Sequence, residues 1–262
     1  MNGGLMVITA HPDDEVLVAG GTLAACAELG LSTSVVCLTR GENGPIAHRG
    51  LASRQTLPAV RAQELREAGA ALGVGLVKCY RRQDGGLRWS NRSAIAGQLA
   101  RIIDELQPDV VATFGEDGLY YHSDHIATYE LARMATRQAA HPAALYRSVW
   151  SAAEMRRLAG ELRRRNLPTG LWGLELEDLG VEAEDREGEV VVDVVPFVGQ
   201  KLQALYCHRT QLEPGHALLS LPDDLAERFL GHERFAPVQA RAGATRRFFD
   251  RVTHMAAKMA HG

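Results

Sequence analysis

Apolar runs of strand length alternate with stretches of helical period through the first half of the chain, and this alternation restricts the fold more than any other feature. The runs fall at 5–8, 33–39, 75–80 and 109–114, and the stretches between them, 16–29, 59–72 and 93–106, space apolar residues three and four apart. Short runs that are apolar at nearly every position read as strands buried on both faces, and parallel strands need helical crossovers of this length. Gly30, Gly73 and Pro108 stand where the three helices should stop. Further strands are expected at 145–150 and 190–195, and further helices from 122–125 to 139 and at 198–206. The expected fold is α/β, a Rossmann-like three-layer arrangement with a mostly parallel twisted sheet and its active site at the strand carboxyl ends. Residues 1–262 read as one domain. The charged stretch 151–189 reads as irregular, an insertion, subdomain or oligomer contact. Residues 212–242 read as loop and short helix, and 241–260 as a closing helix.

Two clusters of metal-ligand residue types lie at strand ends that this topology brings together. The first, Ala10-His11-Pro12-Asp13-Asp14-Glu15, follows the first strand and opens the first helix. Adjacent carboxylates in a turn flanked by apolar residues repel each other, a cost that a cation between them or a shared proton removes. The second, His122-Ser123-Asp124-His125, follows the fourth strand and opens a helix, where histidines three apart share a face. Strands one and four are neighbours in the common doubly wound order, and the crevice between them is the ligand-binding switch point. His11, Asp14 and His125 form a three-ligand set with an open position, suited to catalytic zinc and also to ferrous iron or another divalent ion. Asp13 is left as a carboxylate beside metal-bound water, the place of a general base. His122 can stabilise an oxyanion and protonate a leaving amine. Asp124 can orient a histidine, or simply complement the helix dipole. Tyr120 offers a phenolic donor nearby, or a rim aromatic.

The glycine-rich stretch Arg40-Gly41-Glu42-Asn43-Gly44 lacks the GxGxxG spacing of a dinucleotide loop and reads as a pocket wall, with Arg40 and Glu42 open to substrate or to each other. Arg61 and Glu64, three apart on a helix, read as a surface ion pair. A net charge of −3 gives no reason to expect nucleic acid, and no apolar run approaches a membrane span. The four cysteines show no CxxC spacing and no signal peptide is apparent, which favours a reduced, cytoplasmic chain.

At the two His-Asp clusters the sequence resembles the LmbE/PIG-L family of zinc-dependent N-deacetylases, which act on N-acetylglucosamine-type sugars. The likeness runs from the first strand to about Gln211 and includes 39–44, the 61–73 helix, and Lys201, His208 and Gln211. It implies His11, Asp14 and His125 as zinc ligands, Asp13 as base and His122 as acid or oxyanion partner. It also makes Tyr120 an oxyanion-assisting tyrosine and Arg61 a substrate contact. The implied partner is a small amino sugar or glycoconjugate, with a homo-oligomer left open. Ser123 and Tyr121 depart from the family's usual Pro and Gly, and the larger Tyr121 is expected to narrow the pocket. A non-haem ferrous oxygenase and a non-catalytic sugar-binding protein remain alternatives at this point.

Overall fold

A computed structural model describes residues 4–171, 173–180, 188–239 and 248–254. In chain order the elements begin β1 (Gly4–Thr9), α1 (Asp14–Glu28), β2 (Ser32–Thr39), α2 (Leu57–Ala71), β3 (Leu76–Arg82), α3 (Arg92–Leu106) and β4 (Val110–Thr113). They continue α4 (Gly118–Tyr121), α5 (Ser123–Gln138), β5 (Ala144–Val149), α6 (Ala152–Arg164), β6 (Gly170–Leu171) and β7 (Leu174–Glu175). The last are β8 (Val190–Asp193), α7 (Val198–Cys207), α8 (Asp223–Leu230) and β9 (His232–Gln239).

Seven strands form one sheet in the order β3-β2-β1-β4-β5-β9-β8. From β3 to β5 neighbouring strands are parallel, while β9 pairs antiparallel with both β5 and β8. Every residue of β1 and β4 is buried, as strands covered on both faces require. Helices α1, α2 and α7 pack together on one side of the sheet, and α3 and α5 on the other. The chain leaves β1 toward β2 and later returns to β4 on β1's opposite side, so the strand order reverses between β1 and β4. The expected α/β architecture is therefore the one observed.

Two expectations fail in the second half. The stretch 151–189 is not irregular throughout: Ala152–Arg164 is a helix, capped where Ser151 Oγ accepts from Glu154 N at 3.3 Å. Met155, Leu158, Ala159 and Leu162 form its buried stripe, a helical period that the surrounding arginines and glutamates obscure. The β6–β7 hairpin follows, and residues 181–187 lie outside the described ones. The other miss is β9, eight residues within the stretch read as loop and short helix. Its alternation is masked by Glu233 and Pro237. Glu233 is buried for a reason given below, and Pro237 sits opposite Tyr146 at an irregularity in the β5–β9 register, where a missing N–H is tolerated. Of the expected closing helix 241–260, residues 248–254 are helical and Phe248, Phe249 and Val252 join the core; 241–247 and 255–260 lie outside the described residues.

Helix α1 is not uniform. Ala19 has non-helical angles (φ −161°, ψ 30°), and the kink frees the N–H groups of Gly21 and Thr22, both of which donate to the Glu233 carboxylate at 2.8 Å. Thr22 Oγ1 donates to the same carboxylate at 2.6 Å and Lys201 Nζ at 2.7 Å. The Gly20-Gly21 pair serves close packing, since a Cβ on Gly21 would lie 2.5 Å from Val194 Cγ2.

Candidate active site

The two His-Asp clusters meet at the switch point. The turn after β1 is pinned to β2, because the Ala10 carbonyl accepts from both the N–H and the Oγ1 of Thr39 at 2.9 Å. His11, Asp13 and Asp14 leave that turn as buried side chains, and His125 rises into the same space from the first turn of α5. His11 Nδ1 and His125 Nε2 are 3.3 Å apart. Asp14 Oδ2, which accepts from the His11 backbone N–H at 2.7 Å, lies 3.4 Å from the first nitrogen, and Asp14 Oδ1 lies 3.2 Å from the second. Ligands held tetrahedrally at about 2.0–2.1 Å from zinc stand about 3.3–3.4 Å from one another, so the two imidazole nitrogens have the spacing of two such ligands, and a carboxylate oxygen lies at similar range from each of them. Nothing but a cation or a proton explains why two imidazole nitrogens and a carboxylate should converge so closely in a buried place.

The imidazoles are oriented from behind. His125 Nδ1 lies 3.1 Å from the Gly118 carbonyl and its ring stacks on Phe114 at 4.0 Å, which leaves Nε2 as the lone-pair nitrogen facing His11. His11 Nε2 has the carboxylate oxygens of Asp84 at 3.1 Å and Asp124 at 3.5 Å, though neither sits along a well-formed hydrogen bond. Burial works against a charged His11, but Asp124, Asp14 and Asp84 around it raise its pKa well above the usual value. Burial likewise opposes a charged Asp14, and the His125 and His11 imidazoles overcome it, holding the carboxyl well below the usual range. For Asp13 burial wins over the neighbouring Arg61 and the carboxyl moves up to about 6.

Asp13 sits in a strained backbone conformation, φ +112°. A non-glycine residue in that region costs about 1–3 kcal/mol and persists only where its surroundings impose it. Arg61 contributes to that hold, donating to the Pro12 carbonyl at 2.5 Å, to Asp13 Oδ2 at 3.1 Å and to the Gly41 carbonyl at 2.8 Å. The surface pair expected of Arg61 and Glu64 is absent. Both are buried, and Glu64 instead accepts from Thr210 N at 2.9 Å and Thr210 Oγ1 at 2.6 Å. The glycine loop is the seat of that guanidinium: a Cβ on Gly41 (φ +61°) would lie 1.9 Å from Arg61 Nη1 and one on Gly44 2.6 Å from it.

The second cluster divides its work. His122 caps α5, its Nδ1 accepting from Asp124 N at 3.3 Å, so a neutral ring carries its proton on Nε2. Burial and the nearby His125 and His11 push its pKa down to about 4. Nitrogens of His11, His122 and His125 lie within 4.8 Å of one another. Asp124 is fully buried and accepts from the N–H groups of Gly85 at 2.7 Å and Leu87 at 3.1 Å, anchoring the turn that carries Asp84. Tyr120 lines the cavity with its ring 5.8 Å from that of His122. It is held in a turn where Gly118, Leu119 and Tyr121 all have positive φ.

The cavity has a volume of about 360 Å³, within the size range of small-ligand sites. Arg61, Asn43, Gly44 and Gln211 supply polar wall, Leu17 and Leu174 an apolar one. Arg40 and Glu42 are not on it. Glu42 accepts from Asp84 N at 3.0 Å instead. Tyr121 is 80% exposed and does not line the cavity, so it does not narrow it. Sequence reasoning missed Asp84, which it read as part of a turn. This acid faces His11, accepts from Asn43 N at 2.8 Å, and keeps a pKa of about 2, burial being outweighed by His11 and that hydrogen bond. The available signal was a carboxylate in a glycine turn at the carboxyl end of a third parallel strand, on the edge that carries His11.

The chain matches the PIG-L family model, described as GlcNAc-PI de-N-acetylase, over residues 6–136, a span that contains both clusters. A 1D-myo-inositol 2-acetamido-2-deoxy-alpha-D-glucopyranoside deacetylase of Actinosynnema mirum is 33% identical across 94% of this chain and 95% of the relative. N,N'-diacetylchitobiose deacetylase from Pyrococcus horikoshii aligns in structure with a TM-score of 0.56 and 24% identity, over 90% of this chain and 84% of that one. GalB, the 4-carboxy-2-hydroxymuconate hydratase of Pseudomonas putida KT2440, aligns with a TM-score of 0.62 and 19% identity, over 92% and 98%. At these identities the two structural likenesses are likenesses of fold.

Proposed function

This chain belongs to the PIG-L family of de-N-acetylases, and from that membership and the geometry of its site we propose that it hydrolyses the N-acetyl group of an amino sugar glycoside with the help of a divalent metal ion. The observation that carries the reading is the convergence of His11 Nδ1, His125 Nε2 and the Asp14 carboxylate within 3.2–3.4 Å of one another. These three would hold the ion. Two imidazoles and a carboxylate suit zinc and also ferrous iron. When bound, such an ion acidifies a water molecule and polarises a carbonyl.

The chain's own residues supply the remaining parts. Asp13, beside the ligands but not needed among them, accepts the proton of the attacking water. Arg61 donates to that carboxylate and, through the Pro12 and Gly41 carbonyls, keeps its loop in place. His122, with its proton on Nε2, donates to the oxygen that becomes negative as the amide carbon turns tetrahedral, and Tyr120 stands close enough to share that task. The proton gained by Asp13 returns to the departing amine, so base and acid steps balance. Arg61, Asn43 and Gln211 provide donors and acceptors for sugar hydroxyls on the polar wall.

The test is release of free amine from N-acetylglucosamine glycosides, among them the inositol glycoside named for the Actinosynnema relative, by protein reconstituted with zinc or ferrous iron. Activity lost on chelation and restored by one of the two metals, and abolished by Asp13→Ala, is the expected result. Absence of amine release across a broad panel of N-acyl sugars would overturn the assignment.

A further inference from the structure

His208, at the end of α7, takes no part in the chemistry above, yet it is fully buried. Its Nε2 lies 2.7 Å from Glu15 Oε1. Glu15 is also fully buried, and its other oxygen, Oε2, accepts from the backbone N–H of Asp13 at 3.0 Å. A carboxylate in such a place needs both a partner for its charge and hydrogen bonds to its remaining lone pairs. His208 provides the first and the Asp13 N–H the second. Asp13 is the residue with the left-handed backbone, φ +112°, which an aspartate leaves unless contacts on both sides of it prevent rotation. Arg61 holds the Pro12 carbonyl and the Asp13 carboxylate. Among the described residues, the hydrogen bond that fixes the Asp13 N–H comes from Glu15.

We propose that His208 and Glu15 are positioning residues. His208, 193 residues along the chain from Glu15, fixes that carboxylate, and Glu15 fixes the strained backbone of Asp13 so that its side chain lines the cavity beside His11 and Asp14. The inference rests on reading Asp13 as the base. It assigns a task to a residue that the chain's resemblance to its family marked without explaining.

The experiment compares His208→Ala, His208→Gln and Glu15→Gln with the wild type and with Asp13→Asn, measuring kcat, KM, bound metal and, by crystallography, the Asp13 backbone. A misplaced base lowers turnover without weakening substrate binding, so His208→Ala should lose about ten- to a hundredfold in kcat while KM and metal content stay within about twofold. Gln at 208 can still donate to Glu15 and should recover most of that loss. In the His208→Ala crystal structure Asp13 should leave the left-handed region or its carboxylate should turn away. A merely structural latch would lower thermal stability and leave kcat per folded molecule unchanged, which overturns the proposal. A kcat loss that follows loss of metal overturns it too. Should His208→Ala not fold, Glu15→Gln decides in its place, with an unchanged kcat as the overturning result. If Asp13→Asn keeps full activity, the reading of the base has failed. If Asp13→Asn is dead and His208→Ala is fully active, the positioning role alone has failed. An unmoved Asp13 in the crystal sinks the positioning role whatever amide the protein hydrolyses.

Discussion

Arg61 shows how much a single side chain decides here. One guanidinium nitrogen serves both the Pro12 carbonyl and the Asp13 carboxylate, and another serves the Gly41 carbonyl. Lysine keeps the charge but loses the fork. Arg61→Lys should therefore fold and bind metal as the wild type does, and lose about ten- to a hundredfold in kcat/KM in an amine-release assay. His216 is informative in the opposite sense. It is 4% exposed, and burial pushes its pKa down to about 4. The unfolded chain takes up a proton there near 6.5, so between pH 6.5 and 4 it binds more protons than the folded chain, and stability falls as pH falls. From pH 7.5 to 5 that one residue should remove about 2 kcal/mol. Urea unfolding of His216→Gln at the two pH values should show a drop smaller by about that amount.

Among the elements, α6 and α1 carry the most information. Helix α6 looks like a charged surface segment in the sequence, yet Leu162 is fully buried and belongs to the main core. Leu162→Ala should cost about 2–4 kcal/mol in a denaturant melt, as for a core leucine, where a leucine on a loose insertion would cost well under 1. Helix α1 was expected from its periodicity. Its kink at Ala19 was not visible, because the groups that accept the freed N–H donors lie on β9, more than two hundred residues away. The glycine loop after β2 was legible as a pocket wall, while its actual tenant, Arg61, belongs to α2.

Across the whole molecule, the Lys201–Glu233 pair joins α7, β9 and the kinked α1 in the interior. Removing only one partner strands a buried charge, so Lys201→Met should destabilise by about 3–5 kcal/mol, and Lys201→Met with Glu233→Gln should recover part of that in a double-mutant cycle. The same scaffold also supports a hydratase in Pseudomonas putida, so the sheet and its helices say where a site lies and not what it does. The sequence by itself determined the alternation of strand and helix, and with it the meeting of residues 11–14 with 122–125 at the switch point, because period and crossover length are local properties. Only the tertiary structure decided that Asp84 and Asp124 stand behind His11, that Arg61 turns inward rather than pairing with Glu64, and that Glu233 belongs to a strand. Each of these depends on a partner far along the chain, and the free energy of a buried polar group is set by that partner and not by its sequence neighbours.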